Sequence, residues 1–285
     1  MEIAALLQKY SIQPDPDRSQ HFMVNEKAIK EIVSLADIRK SETVLEIGPG
    51  LGVLTRELAK KAGKVVAVEV DEKLAGIAKR ELLGLNNVEI IQGDVLHAME
   101  NMEFDRVVSN TPYMILEPLV QKLARKDFRI AVLTLPAHFV HIITARLGDE
   151  QYSKLSAFVG AFFRAEVKME LRKEDFRPVP NVNNVVVKLG KKSQDDYEAG
   201  PADYILKEIF SQRARKVKNA LMEALISYNT VMLGVPGTKN KARAIMAGLK
   251  LRQDLLEKTP DQININDIKL IISRTGSSAH ALKMA

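Results

Sequence analysis

Thr43-Val44-Leu45-Glu46-Ile47-Gly48-Pro49-Gly50-Leu51-Gly52-Val53-Leu54-Thr55 is the stretch whose reading decides the fold. An apolar run, Val44 to Ile47, stops at a turn with glycines at positions 48, 50 and 52. Val53 and Leu54 then open a helical spacing. Strand, tight glycine turn and helix form the first βα unit of a nucleotide-binding sheet. Taken alone, such a turn holds many nucleotides.

Working outward, the same rhythm repeats. Lys64 to Val70 reads as a second strand, and Asp71 caps a helix with Leu74, Ile77, Ala78 and Leu82 on one face. Asn87 to Ile91, Asp105 to Ser109 and Arg129 to Leu135 read as three further strands. Ile115 to Leu123 and Ala137 to Leu147 read as helices between or behind them. Upstream, Ile3 to Lys9 predicts a short helix and Ser11 to Met23 an extended segment with two prolines. A helix capped by Asn25 follows, with Ile29, Ile32, Val33 and Ala36 inward. Strands alternating with helices at short spacing imply an α/β fold with a mostly parallel, doubly wound sheet.

Downstream the rhythm changes. Ala157 to Leu171 and Val182 to Leu189 read as two β-rich stretches forming an antiparallel pair at the sheet edge. Lys191 to Pro201 is polar and reads as a linker. Only helical patterns follow, at Ile205 to Phe210, Lys216 to Ile226, Lys239 to Ala247 and Ile265 to Ile272. The expected organisation is an N-terminal segment (1–24), an α/β domain (25–190), a linker (191–201) and a small α-helical C-terminal domain (202–285).

Composition narrows the chemistry. The chain of 285 residues has no cysteine, which excludes disulfides, thiolate metal sites and cysteine nucleophiles and suits a reducing cytoplasm. No apolar run approaches the roughly 18 residues of a membrane helix. The start, MEIAALLQKY, is acidic and too briefly apolar for a signal peptide. A cytoplasmic location is expected. His138 and His141 have no evident third ligand, so no metal is expected. The net charge of +6 leans toward a polyanionic partner. Arg213, Arg215, Lys216 and Lys218 gather at the start of one predicted helix, and Lys239, Lys241 and Arg243 at another. Such runs form either solvated faces or phosphate contacts.

Ligands of open α/β sheets sit at the carboxyl ends of the strands, so those ends carry the functional reading. The second strand ends in Glu69, placed for ribose hydroxyls, and the third leads to Asp94, placed for an adenine amine. Each read singly is a solvated charge or a turn residue. Together, around a tight glycine turn, they suit a ligand with adenosine but no phosphates, and S-adenosylmethionine fits. The fourth strand ends in Asn110-Thr111-Pro112-Tyr113. An exocyclic amine is a poor nucleophile because its lone pair is delocalised into the ring. The Asn110 side-chain oxygen and a carbonyl near Pro112 can accept its hydrogens and favour the pyramidal geometry of attack. Tyr113 offers a ring on which a target base stacks.

These residues resemble the small-subunit ribosomal RNA adenine N6,N6-dimethyltransferases, the KsgA-like family, in its archaeal form. The resemblance runs nearly end to end. Ser19-Gln20-His21-Phe22-Met23, Leu45 to Gly52, Asn110 to Tyr113 and Phe176-Arg177-Pro178-Val179-Pro180-Asn181-Val182 match its motifs. Phe210-Ser211-Gln212-Arg213 with Lys216 resembles the basic helix of its second domain. The resemblance implies a Rossmann-like methyltransferase domain with a helical RNA-binding domain. It implies that His21, Met23, Gly48, Gly50, Glu69, Asp94 and Asn110 contact the cofactor, His21 and Met23 partly through backbone. It implies catalytic roles for Asn110, Pro112, Tyr113 and Phe176, the last lying against the target base. It also implies RNA contacts by Arg213, Arg215, Lys216 and Lys218. The expected activity is dimethylation of two adjacent adenines near the 3′ end of 16S-type RNA, by a monomer acting on a pre-30S-type particle. Departures from the family fall at Thr111, at Met114 to Glu117, including Leu116 and Glu117, at His138, and at Asn183-Asn184 where serine is usual. They leave open a relative with another RNA target, or an assembly factor with little catalysis.

Overall fold

The computed structural model describes residues 3–15, 18–197 and 201–277. The chain divides into two compact units, one of residues 1–141 and 165–191, the other of 142–164 and 192–285.

In the first unit, α1 (Ile3–Lys9) and β1 (Phe22–Met23) precede α2 (Glu26–Leu35). Then come β2 (Thr43–Ile47), α3 (Val53–Ala59), β3 (Lys64–Glu69), α4 (Glu72–Glu81), β4 (Val88–Gln92), α5 (Val95–Ala98), β5 (Arg106–Asn110), α6 (Leu116–Leu123) and β6 (Ile130–Pro136). The next helix, α7 (Ala137–Thr144), begins in this unit, and α8 (Lys154–Phe162) lies in the other. β7 (Phe163–Leu171), β8 (Phe176–Arg177) and β9 (Asn184–Lys191) complete the strands. The main sheet has the order β4-β3-β2-β5-β6-β9-β7. Its first five strands are parallel, and β9 runs antiparallel to β6 with Leu133 opposite Val187.

Burial explains the pattern. The central strands β2 and β3 are covered on both faces, as their near-continuous apolar runs require. Ile29, Ile32 and Val33 of α2 pack with Leu58 of α3 and with Val44, Val65, Val108, Val132 and Val186 of the sheet. The predicted caps are present. The Asn25 side chain accepts from the backbone of Lys27 and Ala28, and that of Asp71 from Leu74. Arg106, buried in β5, donates to both oxygens of Glu42 at 3.0 Å.

One expectation is corrected. Ala157 to Phe162 is helical and only Phe163 to Leu171 is strand. A short, fully apolar run carries no period that separates the two, and the Ser153–Ser156 capping box starts a helix. The two stretches expected at the sheet edge do lie there, in the order β9 then β7, so the later one, with the longer buried run, is the inner strand. Residues 142–164 group with the C-terminal helices in the second compact unit.

The second unit contains α8, α9 (Pro201–Ser211), α10 (Val217–Ser227), α11 (Lys239–Leu249), α12 (Gln253–Glu257) and α13 (Ile265–Ser277). Phe158 packs on Phe210, and Tyr204 stands edge-on to Tyr197 and Tyr228. The expected linker is in part built in. Lys191 belongs to β9, and the Tyr197 hydroxyl donates to the Ala161 carbonyl at 2.9 Å from a buried position. Residues 198–200 of that linker and 278–285 of the expected helical domain lie outside the described residues.

Candidate active site

The carboxyl ends of β2, β3, β4 and β5 border a cavity of about 380 Å³. Its floor is the glycine turn. Gly48, Gly50 and Gly52 have φ of +67°, +56° and +79°, a left-handed backbone that side chains disfavour. A Cβ on Gly50 would stand 2.9 Å from the Phe22 ring. That ring and Pro112, against which Gly48 lies, close on the turn from two sides.

All of the predicted cofactor residues meet here. His21, Met23, Gly48, Gly50, Glu69, Asp94 and Asn110 all line the cavity, with Pro112. Glu69 is buried, and its two oxygens accept from the Gly50 and Asp71 backbone at 3.0 Å each. Burial raises its carboxyl above the ordinary range. Asp94 caps α5 through one oxygen, accepting from Leu96 at 2.8 Å. Asn110 is fixed in orientation. Its Nδ2 donates to the His21 carbonyl at 2.8 Å, so the amide nitrogen faces that carbonyl and the oxygen faces away from it.

The walls are acidic. Glu69, Asp71 and Asp94 contribute three carboxylates beside the carboxyl of Glu46, against one guanidinium among the described lining residues, that of Arg18, itself 3.4 Å from Asp71. This lining repels phosphates and favours a cationic ligand. Glu46 was not anticipated. It is 1% exposed, and its Oε2 has no hydrogen-bond partner among the described residues. Burial pushes its carboxyl up to about 8, with the Thr55 hydroxyl opposing and the Glu69 charge adding. The one visible signal is an acid inside an otherwise apolar strand run. Val70 and Met114, 69% and 72% exposed, stand as apolar residues at the cavity margin.

Tyr113 does not line this cavity but lies next to it. Its hydroxyl donates to Asn184 Oδ1 at 2.8 Å and its backbone N–H to Ser19 Oγ at 3.3 Å. Asn184 is buried. The Tyr113 ring stacks on His21 at 6.2 Å between centroids. Burial raises the phenol above its ordinary value, so it stays a neutral ring. Phe176 is not among the residues that line the cavity; it is 1% exposed and packs with Met23 and Ile29, which do line it, and with Ile32. The antiparallel pairing of β8 with β1 sets Phe176 opposite Met23.

In the helical unit, Arg213 and Arg215 precede α10, whose N-cap is Lys216. The helical stretch expected at Lys216 to Ile226 is present, and Arg213 and Arg215 stand before it rather than at its start. Arg213 lies 3.6 Å from Asp261, and Lys216 and Lys218 each reach one oxygen of Glu257 at 2.6 Å. Cations at a helix N-terminus are unfavourable, and Glu257 offsets them. Among the described residues no group of three or more His, Cys, Asp and Glu is placed to hold a metal. None of the described helices is long and apolar enough to cross a membrane.

Residues 15–242 match the sequence family described as ribosomal RNA adenine dimethylase. The chain belongs to this family. A Thermococcus sibiricus relative named "Probable ribosomal RNA small subunit methyltransferase A" is 36% identical over 274 residues, 94% of each chain. One of the same name from Pyrococcus furiosus is 37% identical over 254 residues, covering 89% of this chain and 87% of the relative. A dimethyladenosine transferase from Plasmodium falciparum superposes with a TM-score of 0.61 at 28% identity, covering 89% of this chain and 96% of its own. The 23S rRNA methyltransferase ErmE shares the fold, with a TM-score of 0.56 at 21% identity and coverage of 89% and 99%.

Proposed function

We propose that the protein is an S-adenosylmethionine-dependent N6-adenine dimethyltransferase of small-subunit ribosomal RNA. In this reading two adjacent adenines near the 3′ end of 16S-type RNA each receive two methyl groups. The enzyme acts as a cytoplasmic monomer on a pre-30S-type particle during subunit biogenesis. The names of the relatives support the RNA class. The observation that carries the chemistry is the orientation of Asn110, whose amide nitrogen is committed to the His21 carbonyl.

The residues present fit the cofactor. A wall carrying the carboxylates of Glu69, Asp71 and Asp94 suits a positively charged, phosphate-free nucleoside, and the positive-φ glycines let backbone approach it closely. When bound, S-adenosylmethionine supplies an electrophilic methyl group on a cationic sulfur. Glu69 holds the ribose, since each of its oxygens has accepted one N–H and keeps a lone pair. Asp94 accepts from the cofactor's adenine amine. Gly48, Gly50 and the backbone of His21 and Met23 complete the contacts.

The target amine is activated by geometry rather than by a base. Asn110 Oδ1 accepts one of its hydrogens and the carbonyl near Pro112 another. This favours the pyramidal nitrogen that attacks and stabilises charge developing on it. Tyr113, kept neutral by burial, supplies a stacking face. Alignment of the two reactants supplies most of the remaining acceleration. Arg213, Arg215, Lys216 and Lys218 in the helical unit contact RNA phosphates and set register.

Incorporation of labelled methyl into unmodified small subunits tests this, followed by mapping of the modified nucleotides. Label on adenine N6 is expected. Label elsewhere would point to another target, and tight subunit binding without label to an assembly factor. Asn110→Ala is expected to reduce transfer by at least a hundredfold while cofactor binding persists in weakened form. Unchanged turnover would refute the role given to Asn110.

A further inference from the structure

The main sheet ends on β7, and among the described residues no strand pairs with its outer edge. Such an edge presents a row of backbone donors and acceptors to another chain, and charged side chains commonly guard it. On β7 the charges have both signs, in a fixed order. Arg164, Glu166, Lys168 and Glu170 share one face of the strand, and Val167 stands between Ala165 and Met169 on the other. This order is self-complementary about Val167. When a second β7 is laid antiparallel with Val167 opposite Val167, Arg164 meets Glu170, Glu166 meets Lys168 and Ala165 meets Met169, each pair occurring twice. The same side chains disfavour the alternatives. A slip of two residues sets Glu166 against Glu166 or Lys168 against Lys168, and a parallel pair in register sets every charge against itself. Exposure follows the same symmetry. Phe163 and Leu171 at the ends of the strand are buried, whereas Val167 at its centre is 54% exposed.

We propose that β7 is a self-association edge, on which a second copy of this chain pairs antiparallel about Val167 and joins two sheets into one. In the single chain, Arg164 lies 3.3 Å from Asp196, and Lys168 pairs with Glu166 of its own strand. Each of these ion pairs has one side chain more than half exposed, so water screens it and its exchange for a cross-strand pair costs little. Directly opposed opposite charges stabilise an antiparallel pair, and opposed like charges destabilise it. One pair of strands buries little surface, so the dimer is weak and reversible. The association belongs to the free protein. It is independent of the methyltransferase reading, in which a single chain acts on the particle.

The test is sedimentation equilibrium of the full-length protein at low salt. Wild type is expected to move from monomer toward dimer between about 5 and 500 µM, the range of a weak interface. The shift should shrink in about 1 M salt, which screens the charge pairs. Glu166→Lys and Lys168→Glu each set like charges opposite one another twice, and each is expected to weaken dimerisation at least about tenfold. Their strands complement each other, so an equimolar mixture of the two variants should associate as wild type does, a result that a folding defect cannot produce. The register is read by cross-linking. The chain has no cysteine, so Val167→Cys supplies a single thiol. Diamide is expected to oxidise it to a disulfide-linked dimer, because facing Cα atoms of antiparallel strands stand about 4.5–5.5 Å apart, within disulfide reach. Leu83→Cys, at a position 87% exposed beyond α4, should stay monomeric under the same treatment. A wild type that is monomeric at every concentration would overturn the proposal. So would a dimer indifferent to both charge reversals, a mixture that fails to associate, or the lack of a cross-link at position 167. None of these readouts depends on methyl transfer, so this proposal and the methyltransferase reading fail separately.

Discussion

Replacing Glu46 by glutamine should make the cofactor-free protein more stable at alkaline pH and nearly abolish one component of its pH dependence. Glu46 is buried under the glycine turn, and its carboxyl is pushed from the ordinary 4.5 up to about 8, chiefly by burial. The folded state thus holds a proton that the unfolded chain has released throughout that interval. Because the native state binds more protons there, stability falls as pH rises. The contribution is complete below the unfolded value and is lost as pH climbs through the folded one. At about 1.4 kcal/mol per pH unit, the full effect is of order 5 kcal/mol. Glutamine keeps the size and the polar end but carries no charge. Urea unfolding followed by circular dichroism, at pH 5 and pH 9, measures the difference. Wild type should lose several kcal/mol more than Glu46→Gln between the two values, and the variant should be the more stable protein at pH 9. Parallel losses in both proteins, or a variant weaker at pH 9, would refute the assignment of a neutral Glu46.

Three other expectations follow from the geometry. Gly50→Ala forces a side chain into a left-handed backbone and to 2.9 Å from the Phe22 ring, so it should cost about 1–3 kcal/mol of stability and weaken cofactor binding at least tenfold by calorimetry. Glu42→Ala strands the fully buried Arg106 guanidinium and should destabilise by about 3–5 kcal/mol in denaturant titration, although it lies far from the carboxyl ends of the strands. Glu257→Gln releases Lys216 and Lys218 from the carboxylate both now touch. RNA affinity should rise a few-fold with a steeper salt dependence, read from binding isotherms at several salt concentrations.

Much of the fold was legible because it is written locally. The parallel strands, the caps at Asn25 and Asp71 and the left-handed glycines each follow from the backbone needs of a few consecutive residues. The cavity lining was legible for a related reason. A parallel sheet delivers the ends of its strands to one edge, so Glu69, Asp94 and Asn110 converge without knowledge of any contact between them. Where local signals were ambiguous, the reading failed. The apolar run from Ala157 to Phe162 suited strand and helix equally.

The sequence by itself determined the sheet, the turn and the acids and amide at its edge, because these depend on chain order and on neighbours a few residues apart. Only the tertiary structure decided what those groups do with one another. Asn110 is oriented by a carbonyl 89 residues away, Tyr113 is held by an amide 71 residues away, and His21 is set by a carbonyl 157 residues away. The burial of Phe176 and the neutral state of Glu46 are of the same kind. Both come from the desolvation and packing that a closed core imposes on a side chain, and neither follows from its neighbours in the chain.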